Sequence, residues 1–239
     1  MKALVKYDAA PGNMEIRDVP EPSAGPGQIK IKVKVAGICG SDLHIYHSDI
    51  AIPVNPPVTT GHEFSGVIAE VGEGVEGFQV GDRVVSETAY AFCGTCDFCT
   101  EGYYNLCSER KTLGYWYNGI FTNYTVVPAE RVHKIPEGVS DLTAAMTEPL
   151  ACVCHAVYDL SRIRGGDVVL VIGPGAIGNM AMQVAKAQGA VVIISGTDID
   201  HERLELAKKL GADYAVNIQK ENLEELVMKV TKGYGVDVV

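Results

Sequence analysis

Cys39, His62 and Glu63 put a thiol, an imidazole and a carboxylate within one stretch: V-A-G-I-C-G-S-D-L-H-I-Y, a proline-studded loop, then G-H-E-F-S-G. Sulfur, nitrogen and oxygen donors together suit Zn²⁺, whose catalytic sites usually take three protein ligands and leave one position open for substrate. Singly, each residue has a plainer reading. A cysteine after an apolar strand is commonly a buried small hydrophobe, and a His-Glu pair is commonly a surface feature. The combination is different, because Gly37 and Gly40 bracket Cys39 while Gly61 and Gly66 flank His62-Glu63, as tight backbone turns around a site require. Ser41 and His44 add a hydroxyl and a second imidazole, which predicts a proton path beside the metal.

A second constellation follows. Cys93, Cys96, Cys99 and Cys107 are spaced C-x₂-C-x₂-C-x₇-C. Four thiolates at this spacing can close a tetrahedral structural zinc site that takes no part in chemistry. An iron–sulfur cluster is the rival occupant, since the run also matches ferredoxin-like spacing.

The third is Gly173-Pro174-Gly175-Ala176-Ile177-Gly178, directly after the apolar run Val168–Ile172 and ahead of a helix expected over Asn179–Gln188. A lone G-x-G-x-x-G is weak, but between a strand and a helix of a βαβ unit it marks a dinucleotide site. The glycines let backbone approach a pyrophosphate, and the helix N-terminus stabilises its charge. Asp198 lies where a carboxylate receives the ribose hydroxyls, which predicts NAD ahead of NADP; Ser195 or Gly196 is the alternative occupant of that position. A catalytic zinc and a dinucleotide in one chain imply hydride transfer from an alcohol.

G-I-C-G-S-D-L-H, G-H-E-F-S-G, the four-cysteine lobe and G-P-G-A-I-G together resemble the zinc-dependent medium-chain alcohol dehydrogenase family, over essentially the whole chain. Within it the chain is most similar to the sorbitol/L-iditol (polyol) and L-threonine dehydrogenase branch. The resemblance implies a GroES-like β-barrel catalytic domain followed by a Rossmann doubly wound domain. It also implies two zinc ions, one catalytic and one structural. Catalytic-zinc ligands by resemblance are Cys39, His62 and one or both of Glu63 and Glu148. In T-E-P-L, Glu148 matches the glutamate that this branch places toward the metal; its plainer reading is a carboxylate favoured at a helix start. Arg203 aligns with a basic residue beside the adenosine, or is simply a solvated helix-start arginine. A polyol is the expected substrate, with L-threonine or another secondary alcohol such as 2,3-butanediol as runner-up. A non-catalytic nucleotide-binding relative is the alternative of a different class. A homodimer or homotetramer is implied.

Several elements must position these groups. Ala3–Tyr7, Ile29–Val35, Val67–Val71, Arg83–Val85, Gly119–Val127 and Val132–Ile135 alternate or are β-branched, predicting an antiparallel barrel-like domain. Asp141 is expected to cap a helix from Leu142, and Cys152, Cys154 and His155 are expected on an apolar helix, the cysteines in the core and His155 partly buried. Domains are expected over 1–160 and 161–239. Beyond the fingerprint, Val191–Ser195 and Asp213–Asn217 are predicted strands, and His201–Leu210 and Glu221–Lys232 predicted helices. Val236–Val239 is expected to open the second half of the doubly wound fold. By resemblance roughly another 100 residues would follow, so the Rossmann domain is expected to be truncated and the chain to fall short of a complete enzyme.

The bulk composition narrows the partners. A net charge of −10 argues against nucleic acid and anionic membrane, which call for a basic surface. No apolar run reaches the roughly 20 residues of a spanning helix. The charged N-terminus M-K-A-L-V-K-Y-D lacks a signal-peptide pattern. Clustered cysteines then read as metal ligands in a reducing cytoplasm rather than as disulfides.

Overall fold

A computed structural model describes residues 1–239 and divides them into two compact units, Met1–Glu148 and Pro149–Val239. The division falls ahead of the 160/161 boundary expected from sequence.

In the first unit, β1 (Lys2–Lys6) pairs antiparallel with β2 (Met14–Asp18), joined through a tight Pro-Gly-Asn connection. β3 (Gln28–Ala36) carries the Ile/Val–Lys alternation. Ile29 and Ile31 are fully buried and burial fades toward Val35, because register shifts against the neighbouring strand carry the chain out of the core. The helix α1 (Gly40–His47) follows, then β4 (Val58–Thr59), which adds to β1. Next come β5 (Phe64–Val71), β6 (Arg83–Ser86), β7 (Ala89–Ala91), the short α2 (Asp97–Thr100) and β8 (Lys111–Thr112). The unit closes with β9 (Tyr124–Pro128), β10 (Val132–Lys134) and α3 (Asp141–Ala144). The main sheet runs β10-β6-β5-β3-β9, all antiparallel, and β2-β1-β4 form a second. Ile29, Ile31, Phe64, Ile68, Val84, Leu113, Ile120 and Val127 form the core against the main sheet. Each such side chain contributes about 1.5–3 kcal/mol on burial.

Two expectations are corrected here, and one helix is new. The strand expected from Gly119 begins at Tyr124. Ser140, not Asp141, caps α3, its Oγ accepting from Thr143 N at 3.1 Å. α1 was not predicted from sequence, because its residues lack an apolar period; a capping box sets it up instead, as described below.

α4 (Thr147–Cys154) continues as a π-helical segment over His155–Leu160. Cys152 is exposed, contrary to the expected core placement, and His155 is exposed and pairs with Asp159 at 3.1 Å. In the second unit β11 (Val168–Ile172), β12 (Val191–Gly196) and β13 (Tyr214–Asn217) form a parallel sheet in that order. α5 (Ala176–Ala187), α6 (His201–Lys209) and α7 (Leu223–Val230) connect or follow them. Val169, Met182, Ala185, Val192, Ile194 and Leu204 make its core. Val238 bridges in parallel to Val169, so the apolar end does add beside β11. These are the βαβ units that the sequence pattern predicted.

Candidate functional site

Antiparallel pairing assembles the first constellation. β3 and β5 are neighbours with Ala36 opposite Phe64, so the residues just after β3 and just before β5 meet at one end of the sheet. Gly37 N donates to Glu63 O at 2.8 Å, locking the two ends together. A Cβ on Gly37 would collide with the Glu63 carboxylate, which explains a glycine there. The ligand atoms of Cys39, His62 and Glu63 consequently lie within 4.8 Å of one another. His62 and Glu63 are buried and Cys39 is half-buried.

Cys39 is also the N-cap of α1. Asp42, the third residue of its first turn, accepts from Cys39 N through Oδ2 at 2.9 Å, and Asp42 N donates to Cys39 O at 3.0 Å. The first of these bonds is the acid's half of a capping box, with a cysteine in the serine position. Asp42 is 5 % exposed and its other oxygen, Oδ1, stands 4.0 Å from His62 Nδ1. Burial pushes the Asp42 carboxyl up, and hydrogen bonding from Cys39 pulls it back. Sequence reasoning missed Asp42, although an acid three residues after Cys39 is the signal that names it.

Three buried polar atoms converge here without a hydrogen-bond partner: Ser41 Oγ, Asp42 Oδ1 and His62 Nδ1. Buried polar groups are paired in all but a few cases, so such a cluster marks a place completed by a bound group. The donor set, one sulfur, one nitrogen and one carboxylate, fits a catalytic zinc ion. Burial raises the Cys39 thiol pKa, partly offset by the Ser41 hydroxyl, and a divalent cation bound there would deprotonate it. Glu148 lies outside the compact ligand set. Burial raises its pKa, the field of His62 lowers it and that of Glu63 raises it, so it sits in the same electrostatic neighbourhood. Tyr115, also missed from sequence, is 4 % exposed, with its ring 5.7 Å from that of His62. The expected Ser41–His44 path is not joined by a hydrogen bond. His44 is exposed and its Nδ1 meets Asp49 Oδ1 at 3.0 Å.

The four cysteines are gathered with all sulfurs within 4.8 Å. Cys93 Sγ stands 3.8 Å from Cys99 Sγ and 3.6 Å from Cys107 Sγ. Sulfurs bound tetrahedrally at about 2.3 Å lie about 3.8 Å apart, so the lobe fits a single zinc ion. An iron–sulfur cluster attaches its thiolates to different irons and spreads them further. Thr95 and Cys96 backbone N–H groups donate to Cys93 Sγ and hold its thiol down at about 6, while burial pushes Cys99 up to about 12. Arg131 anchors the lobe. Its guanidinium lies over the Phe92 and Tyr104 rings at 4.7 and 4.3 Å and pairs with Glu87 at 3.2 Å, which also accepts from Tyr104 Oη at 2.6 Å.

In the second unit the glycine fingerprint spans the β11–α5 turn. Gly173 has φ +94°, Gly175 caps α5, and Ala176, Ile177 and Gly178 form its first turn. A Cβ on Gly178 would collide with Gly173 O, so the third glycine is what lets the helix start so close to the strand. Asp198 follows β12 by two residues and is not free. Its Oδ1 accepts from Asn217 Nδ2 at 2.7 Å and Lys220 Nζ at 2.8 Å. Arg203 pairs instead with Asp200 at 3.0 Å. Lys220, the cation beside that carboxylate, had no signal in the sequence because it lies beyond β13.

A four-thiolate lobe and a mixed sulfur, nitrogen and carboxylate cluster on a β-barrel, together with a dinucleotide fingerprint on a parallel sheet, define a zinc- and dinucleotide-dependent oxidoreductase. Residues 25–137 match the family described as alcohol dehydrogenase GroES-like domain, and residues 176–239 that described as zinc-binding dehydrogenase. A sorbitol dehydrogenase of Halalkalibacterium halodurans is 54% identical over 239 residues, 100% of this chain and 69% of that protein. A zinc-binding dehydrogenase from Sinorhizobium meliloti 1021, solved bound to NADP, has TM-score 0.85 at 36% identity, covering 94% of this chain and 64% of its own. An alcohol dehydrogenase from E. coli CFT073 complexed with NADH has TM-score 0.84 at 39% identity, covering 96% and 66%. The chain belongs to the zinc-binding alcohol dehydrogenase family. No helix is long and apolar enough to cross a membrane.

Proposed function

We propose that the protein oxidises a secondary alcohol of the polyol class, of which sorbitol and L-iditol are examples, with NAD⁺ as hydride acceptor. The observation that carries this reading is the compact Cys39/His62/Glu63 set beside three unpartnered buried polar atoms. When bound there, a zinc ion polarises an alcohol oxygen, and a dinucleotide supplies the ring carbon that accepts hydride. Cys39, His62 and Glu63 hold the ion, and Asp42 holds the backbone that carries Cys39 and faces the His62 ring. Ser41 Oγ takes up the hydroxyl proton while releasing its own, and His44, exposed on α1 and not hydrogen-bonded to Ser41, is the candidate carrier to solvent. Glu148 is the outer carboxylate that meets the open position. Gly173, Gly175 and the α5 N-terminus hold pyrophosphate, while Asp198 accepts the ribose hydroxyls. Cys93, Cys96, Cys99 and Cys107 hold the second zinc and stiffen their lobe.

The 54% identity to a sorbitol dehydrogenase supports the polyol class. Clustered free thiols fit a reducing cytoplasm, and the family resemblance supports a homodimer or homotetramer. A panel of polyols, L-threonine and butane-2,3-diol with NAD⁺, followed by the absorbance of reduced nicotinamide, tests the reading. Highest kcat/KM on a polyol is expected; turnover confined to threonine or to none overturns it.

A further inference from the structure

Asn179 is the fourth residue of α5 and is 7 % exposed. Asparagine is a poor helix former, and a buried amide is costly unless its groups are paired. Only half of this one is paired. Its Nδ2 donates to Pro174 O at 2.5 Å and to Gly175 O at 3.2 Å, while its buried Oδ1 has no partner. The side chain thus reaches back over the first turn of its own helix to the middle of the glycine fingerprint. There Asn179 N also donates to Gly175 O, at 2.9 Å. On the opposite side the Pro174 ring sits over Gly196 at the end of β12, so near that a Cβ on Gly196 would collide with it. The turn is therefore held from the helix and from the sheet at once.

A peptide group is planar and trans, so its carbonyl and its N–H point to opposite sides. The amide that draws Pro174 O inward therefore aims Gly175 N–H away from the helix, and the bonds on Gly175 O aim Ala176 N–H the same way. Neither N–H has a partner within the protein, whereas Gly173 N–H is taken by Ser195 O at 2.9 Å. Adjacent unpaired donors at the start of a helix suit phosphate oxygens. We infer that Asn179 is a positioning residue for the dinucleotide pyrophosphate: its Nδ2 fixes the Pro174 and Gly175 carbonyls and, through those peptide planes, turns the Gly175 and Ala176 N–H groups to the phosphate. The inference rests on the dinucleotide-binding reading above. The orphaned Oδ1 accompanies that donor at a buried position, a penalty that an apolar side chain would avoid.

Asn179→Leu keeps the bulk and removes the donor. Asn179→Ser is smaller, cannot overpack, and its hydroxyl can return to the carbonyl of Gly175 in the preceding turn. On the zinc-loaded protein, NADH fluorescence gives Kd directly, and displacement of NADH gives it for ADP-ribose and for adenosine, which carries no phosphate. Asn179→Leu is expected to raise Kd about 10-fold for NADH and ADP-ribose and to leave adenosine within about 2-fold, as lost hydrogen bonds behind the phosphate alone predict. Asn179→Ser recovers part of the loss, and it makes the same comparison by itself where leucine fails to fold. A turn that has merely come apart weakens adenosine by the same factor as ADP-ribose, and that result overturns the inference. So do NADH and ADP-ribose affinities equal to the parent's in both variants, and so does a serine variant that binds NADH no better than the leucine variant. A parent protein that binds neither NADH nor NADPH overturns the dinucleotide reading, and this inference with it.

Discussion

Asp42 Oδ1 stands 4.0 Å from His62 Nδ1, both atoms buried, while the same carboxylate's Oδ2 holds the Cys39 backbone N–H at 2.9 Å. One carboxylate thus holds the backbone that carries Cys39 and faces the His62 ring, with no hydrogen bond to it. Carboxylates behind ligating histidines fix ring orientation and raise basicity, and losing them costs about 10- to 100-fold in metal affinity. Asp42→Ala is expected to weaken catalytic-zinc binding by that factor, measured by competition with a chromogenic chelator. The four-thiolate site serves as the internal control, and equal weakening at both sites counts against the assignment.

Glu63 and Glu148 are expected to separate in a zinc assay. Glu63 belongs to the compact donor set and Glu148 does not. Glu63→Gln should lower catalytic-zinc occupancy, and Glu148→Gln should retain the zinc while lowering kcat about 10-fold or more. Elemental analysis of both variants decides it; the reverse pattern reassigns the ligand.

The two metal sites have different duties, and single substitutions divide them. Cys39→Ser should abolish turnover with little change in melting temperature. Cys96→Ser should chiefly lower stability, because binding energy at a structural metal is folding energy. Thermal denaturation alongside kcat reads both, and a Cys39→Ser enzyme with full activity contradicts the site.

The anchor of the cysteine lobe carries a pH signature. Burial alone would raise the Glu87 carboxyl, but hydrogen bonds from Tyr104, His133 and Arg131 outweigh it and hold its pKa below the ordinary value. A carboxyl depressed on folding contributes stability that is present above its unfolded pKa, about 4.3. That stability is lost as pH falls through the lower folded value. Glu87→Gln is expected to cost about 1–3 kcal/mol at neutral pH. The gap between parent and variant melting temperatures should close on acidification below about pH 4. A gap independent of pH removes the ionised carboxylate from the account.

Cofactor choice is expected to turn on Asp198 and Lys220, whose Oδ1 and Nζ are 2.8 Å apart. The paired carboxylate repels a 2′-phosphate, and its removal leaves a cation free to attract one. Asp198→Ser should raise the NADP⁺/NAD⁺ ratio of kcat/KM by about 10-fold or more, a change of about 1.4 kcal/mol. Lys220→Ala in addition should cancel most of the gain. A ratio unmoved by Asp198→Ser places discrimination elsewhere, at Ser195 or Gly196.

Much of the architecture was legible because local signals agreed. Alternation in Ile29–Val35, the unbroken apolar run Val168–Ile172 and the glycine fingerprint each specify backbone geometry within a few residues. Cys93, Cys96 and Cys99 likewise announce a metal lobe by spacing alone. α1 escaped notice because its stability comes from an Asp42–Cys39 capping box rather than from an apolar stripe.

What the sequence by itself determined was therefore the chemistry on offer: which residues can bind zinc, which backbone can cradle a pyrophosphate, and which family they resemble. Tertiary structure decided the partnerships. Cys39 meets Glu63 only because β3 and β5 pair with Ala36 opposite Phe64. Tyr115 reaches His62 from a loop, and Lys220 reaches Asp198 from beyond β13, at separations where no periodicity carries a signal. The same holds for His44, whose spacing from Ser41 suggested a relay but whose side chain the helix turns outward to Asp49. Ligand identity is written in residue type, whereas orientation comes from strand register and helix phase, which many distant contacts set together.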